Sequence, residues 1–166
     1  ATATATFGVI SGETAKCTFT NAKPELTIDK TVTQAPVFAA GAWTVTYQVA
    51  VSNVGPIETT YDLTDVPTFG ANTTVTNIAV SATTPAVSKN PYVAGSLIVD
   101  DQPIGVGVTH TYTVTVTFTI AGSATSANLD CQLISGESGT GTLNTATATY
   151  RGATIQDTDC APVPRV

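Results

Sequence analysis

An antiparallel β-sandwich is the fold this sequence predicts, and three observations predict it. Segment after segment alternates apolar with polar residues, the period of a half-buried strand. Threonine supplies 34 of the 166 residues and, with Val and Ala, dominates the chain; β-branched residues suit a pleated surface. Short clusters of Gly, Pro, Asn and Ser punctuate the segments, and no stretch carries a convincing helical period.

The elements follow in order. "ATATATFGVI" (1–10) and "ETAKCTFT" (13–20) alternate, and "SGE" between them reads as a hairpin turn. "NAKP" breaks the pattern, so residues 1–22 read as a strand pair separate from a sandwich over 23–166. "LTIDKTV" (26–32) opens that sandwich. "AWTVTYQVAVSN" (42–53) puts Trp43, Val45, Tyr47, Val49 and Val51 on one face, and "VGP" ends it. "TTYDLTDV" (59–66) groups Tyr61, Leu63 and Asp65. "TTVTNIAV" (73–80) and "GSLIV" (95–99) are shorter strands. "THTYTVTVTFTI" (109–120) sets Tyr112, Val114, Val116, Phe118 and Ile120 against a row of threonines. "LNTATATYR" (143–151) aligns Asn144, Ala146, Ala148 and Tyr150, and "ATIQDTDC" (153–160) is the last strand. Clean in/out alternation over many short strands implies two packed antiparallel sheets.

Composition excludes several functions. A net charge of −6 with six Lys and Arg leaves no basic stripe for nucleic acid. Apolar runs fall well short of the ~18 residues of a membrane-spanning helix, so no membrane insertion is expected in this segment. The chain opens without a basic region followed by an apolar stretch and closes on "APVPRV", a tail of linker type; it reads as a mature form or an excised piece. Charged residues are only 11% of the chain, and methionine is absent, an association common in secreted bacterial surface proteins.

Three polar residues fall on apolar faces. Lys30 is in line with Leu26, Ile28 and Val32, Asp65 with Tyr61 and Leu63, and Asn144 with Ala146 and Ala148. Lysine is rarely buried without a partner. First and last strands of a sandwich often lie side by side, so the three can meet. A neutral lysine amine can attack a carboxamide carbon, expel ammonia and leave an amide cross-link. Burial favours the neutral amine and also a protonated carboxyl, which hydrogen-bonds the carbonyl and relays protons. Holding the groups together makes the step effectively unimolecular. The neighbouring alanines leave room for the lysine stem. The plainer alternatives are a Lys30 that snorkels at a strand end and an Asn144 that satisfies a sheet edge.

"LTIDKTV", "AWTVTYQVAVSNVGP", "YDLTDVPTFG", "THTYTVTVTFTI" and "LNTATATY" together resemble the conserved-repeat family of bacterial surface proteins, Ig-like domains strung along exported adhesins and stalks. Their order also resembles the isopeptide-forming domains of Gram-positive pilins and adhesins, over roughly residues 24–160. The resemblance implies Lys30 as nucleophile, Asn144 as electrophile and Asp65 as proton relay. "DVPTFG" departs from the usual Leu and Pro after the acid, which leaves Asp62 as the alternative to Asp65. "CTFTN" resembles the closing strand of prealbumin-like domains that precede such repeats in actinobacterial surface proteins. On that reading residues 1–22 are a remnant of a neighbouring domain; otherwise they are strands donated to a sister subunit.

Cys131 and Cys160 flank the last strands, and an exported context favours their disulfide. Cys17 is left over. Cys131–Gln132 is a very weak thioester signal. His110 stands alone and is expected to be structural, with no metal site around it. Asp100, Asp101, Asp157 and Asp159 are expected to be solvated loop acids rather than calcium ligands. No enzyme motif, cofactor or metal is expected. The expectation is an extracellular Ig-like module of a cell-surface protein, structural in role. Its partners would be neighbouring domains of the same protein, a host or matrix ligand, or sister subunits.

Overall fold

The computed structural model describes residues 6, 8–16, 18, 21–135 and 140–164. Within them the alternating segments become nine strands: β1 (Leu26–Ala39), β2 (Ala42–Asn53), β3 (Thr59–Pro67), β4 (Thr73–Ala82), β5 (Val87–Lys89), β6 (Leu97–Ile104), β7 (Thr109–Ile120), β8 (Asn144–Tyr150) and β9 (Ala153–Asp159). A single helical turn, α1 (Ser126–Leu129), lies between β7 and β8. Two antiparallel sheets, ordered β1-β2-β7-β4-β5 and β6-β3-β8-β9, face each other as an Ig-like β-sandwich.

The expected inward faces are the core. Val45, Tyr47, Val49, Val51, Val114, Val116 and Phe118 are fully buried from the larger sheet, and Leu63, Ala146 and Ala148 from the smaller. β2 and β7 keep one unbroken register from Trp43↔Phe118 to Ser52↔Thr109, so alternation on one strand meets alternation on the other. Two strands end in two-residue turns with both residues at positive φ. Ala40–Gly41 joins β1 to β2, and Arg151–Gly152 joins β8 to β9. That turn type matches the right-handed twist of the flanking strands.

β1 runs seven residues past the expected "LTIDKTV", because the tight Ala40–Gly41 turn folds it back along β2. It does so through two register shifts, between Val32 and Gln34 and between Gln34 and Val37. β5 and α1 carry too few residues to show a period, and the sequence pattern did not predict them. The "APVPRV" tail is not a linker over its described part: Val163 N–H donates to the Leu129 carbonyl at 2.8 Å, and Ala161 and Val163 are buried. Cys131 and Cys160 are disulfide-bonded, with Cα atoms 5.9 Å apart, which ties the end of β9 to the segment after α1. Among the described residues of 1–22, Ser11 and Gly12 form a turn in which Glu13 N–H donates to the Ile10 carbonyl at 3.0 Å. The strand pair expected there falls largely outside the described residues, as does Cys17.

Candidate functional site

Three neighbouring strands of the smaller sheet place the site. Asp65 on β3 sits opposite Ala146 on β8, and Ala146 sits opposite Asp157 on β9. One row along, Pro67 faces Asn144, and Asn144 faces Asp159. Cross-strand partners share a face, so Asp65, Asn144, Asp157 and Asp159 all project toward the larger sheet.

Lys30 reaches this face from β1, the edge of the larger sheet. Its Nζ lies 2.5 Å from Asp65 Oδ2, and both side chains have no solvent exposure. The Nζ also lies 4.8 Å from the centroid of the Tyr47 ring. Lys30 does not snorkel, and Asn144 is fully buried rather than at an exposed edge. Asp62 faces the other way and accepts from the Asp101 N–H at 2.7 Å, so the carboxylate beside the lysine is that of Asp65. Tyr92 fixes Asp65 from behind: its hydroxyl accepts from the Asp65 N–H at 3.0 Å and donates to the Ser96 carbonyl at 2.5 Å.

Both polar atoms of the Asn144 carboxamide, and Oδ1 of Asp65, are buried without a hydrogen-bond partner. Each such group in a native core costs about 1–3 kcal/mol. The nearest approach to a partner is a loose contact between the Asn144 carboxamide and the Asp65 carboxyl, outside good hydrogen-bond geometry, which pulls the Asp65 pKa down a little. Desolvation dominates both members of the ion pair. It lowers the Lys30 pKa against the opposing pull of Asp65, and raises the Asp65 pKa against that of Lys30. Both shifts favour the neutral pair, amine and carboxylic acid, which one proton transfer across 2.5 Å produces. A neutral amine is a nucleophile, and a carboxylic acid can protonate a leaving group.

Asp157 and Asp159 are not solvated loop acids. Both lie on β9 and are half-buried. Asp157 Oδ2 accepts from the Lys30 backbone N–H, and Asp159 Oδ2 from that of Val32, each at 2.6 Å. Their signal was present in the sequence: Ile155, Asp157 and Asp159 alternate on the inward face of the last strand. Asp101 accepts weakly from the Thr60 hydroxyl, at 3.5 Å. Among the described residues no group of His, Cys, Asp and Glu could hold a metal ion, and no helix is long and apolar enough to cross a membrane.

His110 lies apart from this site. Its Nδ1 is 2.9 Å from the Tyr61 hydroxyl, which is itself 2.5 Å from that of Tyr112. With a neutral imidazole, Tyr112 donates to Tyr61 and Tyr61 donates to His110, so the buried hydroxyls are satisfied. That is the structural role expected of a lone histidine.

No protein-family model matches the chain, and no curated protein matches it.

Proposed function

We propose that this chain is a structural stalk or adhesin module of a bacterial cell-surface protein, made rigid by an amide bond between Lys30 and Asn144. The observation that carries the proposal is the buried Lys30–Asp65 pair set beside a carboxamide whose polar atoms have no partner. A cross-link accounts for all of it. The Lys30 Nζ attacks Cγ of Asn144, the Nζ–Cγ bond forms, the Cγ–Nδ2 bond breaks, and Nδ2 leaves as ammonia. Asp65 gives a proton to Nδ2 and takes one from Nζ, so it ends as it began. The product amide has one N–H and one C=O in place of the orphaned carboxamide. The reaction occurs once per molecule, so the protein is not an enzyme.

The mechanical role rests on strand direction. Lys30 pairs with Asp157 and Val32 with Asp159, a constant offset of 127 residues, so β1 and β9 run parallel where they meet. Tension between the termini would slide two such strands past each other. A bond from β1 to β8 opposes that sliding covalently and, unlike the Cys131–Cys160 link, withstands reductants. The disulfide itself fits an oxidising, extracellular setting. The rival fibre reading needs a free sheet edge for a donated strand. The β1 edge is engaged by β9 at Lys30 and Val32, which leaves β5, β6 and the outer side of β9 as the edges such a strand could join.

Peptide mapping tests the reading. Digestion of the unfolded, reduced protein is expected to release a branched peptide joining the segments around Lys30 and Asn144. Recovery of the two as separate linear peptides, with Asn144 intact, would refute the cross-link.

A further inference from the structure

We infer that Asp157 and Asp159 are positioning residues that set the register of β1 and thereby choose Lys30 as the residue delivered to Asp65 and Asn144. The inference rests on the cross-link reading and adds the device that aligns its reactants.

The geometry is that of a key with two teeth. β1 is an edge strand, and the N–H groups of Lys30 and Val32 point away from β2 with no strand to pair them. β9 is the edge of the opposite sheet. It meets β1 through two carboxylates, two residues apart, which accept from two N–H groups that are also two residues apart, both at 2.6 Å. A hydrogen bond to a charged acceptor is stronger and shorter than a neutral one. Asp159 is held in turn, because its Oδ1 accepts from the Cys160 N–H at 2.8 Å.

The teeth fall on the rows that carry the chemistry. Asp157 lies in the row Asp65–Ala146–Asp157, and Asp159 in the row of Asn144. Lys30 is therefore tied at both ends of a single row: its backbone N–H at Asp157, and its Nζ at Asp65. Between those two ties the row holds Ala146, whose side chain is small. A slip of β1 by two residues would keep the inward face inward but bring Ile28 or Val32 over Ala146. The hydrophobic pattern alone does not penalise that slip, because Ile28, Lys30 and Val32 all face inward, and an isoleucine or valine suits the core better than a lysine. The Ala40–Gly41 hairpin sets β1 against β2, so such a slip must be taken up at the two register shifts around Gln34; the carboxylates hold Lys30 and Val32 against it, and the Lys30–Asp65 pair rewards one register.

The two carboxylates have a second influence, and it opposes the first. Their charge raises the Lys30 pKa and so disfavours the neutral amine. Substitution separates the two. Asp157→Asn with Asp159→Asn removes the charge and keeps an oxygen that accepts from each N–H. Asp157→Ala with Asp159→Ala removes both. The experiment is a time course of ammonia loss, read by mass spectrometry on freshly synthesised protein, with folding checked through the near-ultraviolet signal of Trp43 and the core tyrosines.

Positioning predicts that the Ala pair forms the cross-link at least 10-fold more slowly than wild type, while the Asn pair reacts at the wild-type rate or faster. If the Ala pair reacts as fast as wild type, the inference is overturned and the cross-link stands. If wild type itself keeps its full mass, the cross-link reading fails and takes the delivery of Lys30 with it. Amide exchange at Lys30 and Val32 keeps the register claim testable should the Ala pair fold poorly. In the single Asp159→Ala variant Val32 is expected to lose protection selectively, and unchanged protection would remove the lock.

Discussion

Asp65 carries the most consequential single contact in the molecule. Its carboxyl is the sole hydrogen-bonding partner of the Lys30 Nζ among the described residues, inside a core where an isolated charge is costly. Asp65→Ala should therefore act twice. It removes the proton relay, so the protein should retain its full mass, and it strands a buried lysine, which should lower stability by about 3 kcal/mol or more. Mass spectrometry and urea titration read the two effects separately. His110 gives an independent, pH-dependent effect. Burial lowers its pKa, so the folded protein binds its proton less readily than the unfolded chain. The stability it contributes is complete above the unfolded value of about 6.5 and is lost as pH falls through that value toward the lower folded one. Urea midpoints should drop between about pH 7.5 and pH 5, and His110→Gln should flatten that part of the slope. An unchanged slope in the variant would reassign the effect to other groups.

Strand turns decide how the elements join, and one of them is imperfect. Ala40 adopts φ 52° in the Ala40–Gly41 turn, a conformation that an L-residue with a Cβ adopts at a cost. Ala40→Asn, a residue that tolerates it, should stabilise the β1–β2 hairpin by about 0.5–1 kcal/mol in thermal or urea unfolding. The "NVGP" motif has a comparable physical basis. A Cβ on Gly55 would fall 2.4 Å from the Glu25 backbone nitrogen, while Asn53 binds the Gly55 N–H through Oδ1 and the Ile57 and Ile104 carbonyls through Nδ2. Alternation was most legible in β2 and β7 because those two strands bury one face almost throughout. β2 and β7 match the segments 42–53 and 109–120 residue for residue. The inward polar positions Lys30, Asp65 and Asn144 were legible for the same reason: period two assigns a face whatever the residue. Strand order was not, since alternation says nothing about neighbours. The fold class brought first and last strands together, but not the groups that join them, so the link from Asp157 and Asp159 to the β1 N–H groups was hidden although their inward face was not.

At the scale of the whole molecule, first and last strands belong to different sheets, and the seam between them is closed by side chains rather than by a backbone ladder. A disulfide spanning 29 residues closes the C-terminal end, and by loop entropy contributes ~3–4 kcal/mol. A Lys30–Asn144 bond would close the other route to unravelling. With the disulfide reduced and the protein pulled from its termini, the cross-link should keep the chain between these two residues out of the extension, a shortfall of roughly 400 Å at the ~3.3–3.6 Å that each residue spans. Single-molecule force measurement on Asn144→Ala should recover that length.

The most direct measurement is the intact mass of the unfolded, fully reduced protein beside Lys30→Ala. A Lys30–Asn144 amide lowers the wild-type mass by one ammonia below the calculated value, and Lys30→Ala should show its full calculated mass. A wild-type protein at its full calculated mass would contradict the cross-link, leaving Lys30 and Asp65 as a buried ion pair and the domain as a sandwich held by its core and one disulfide.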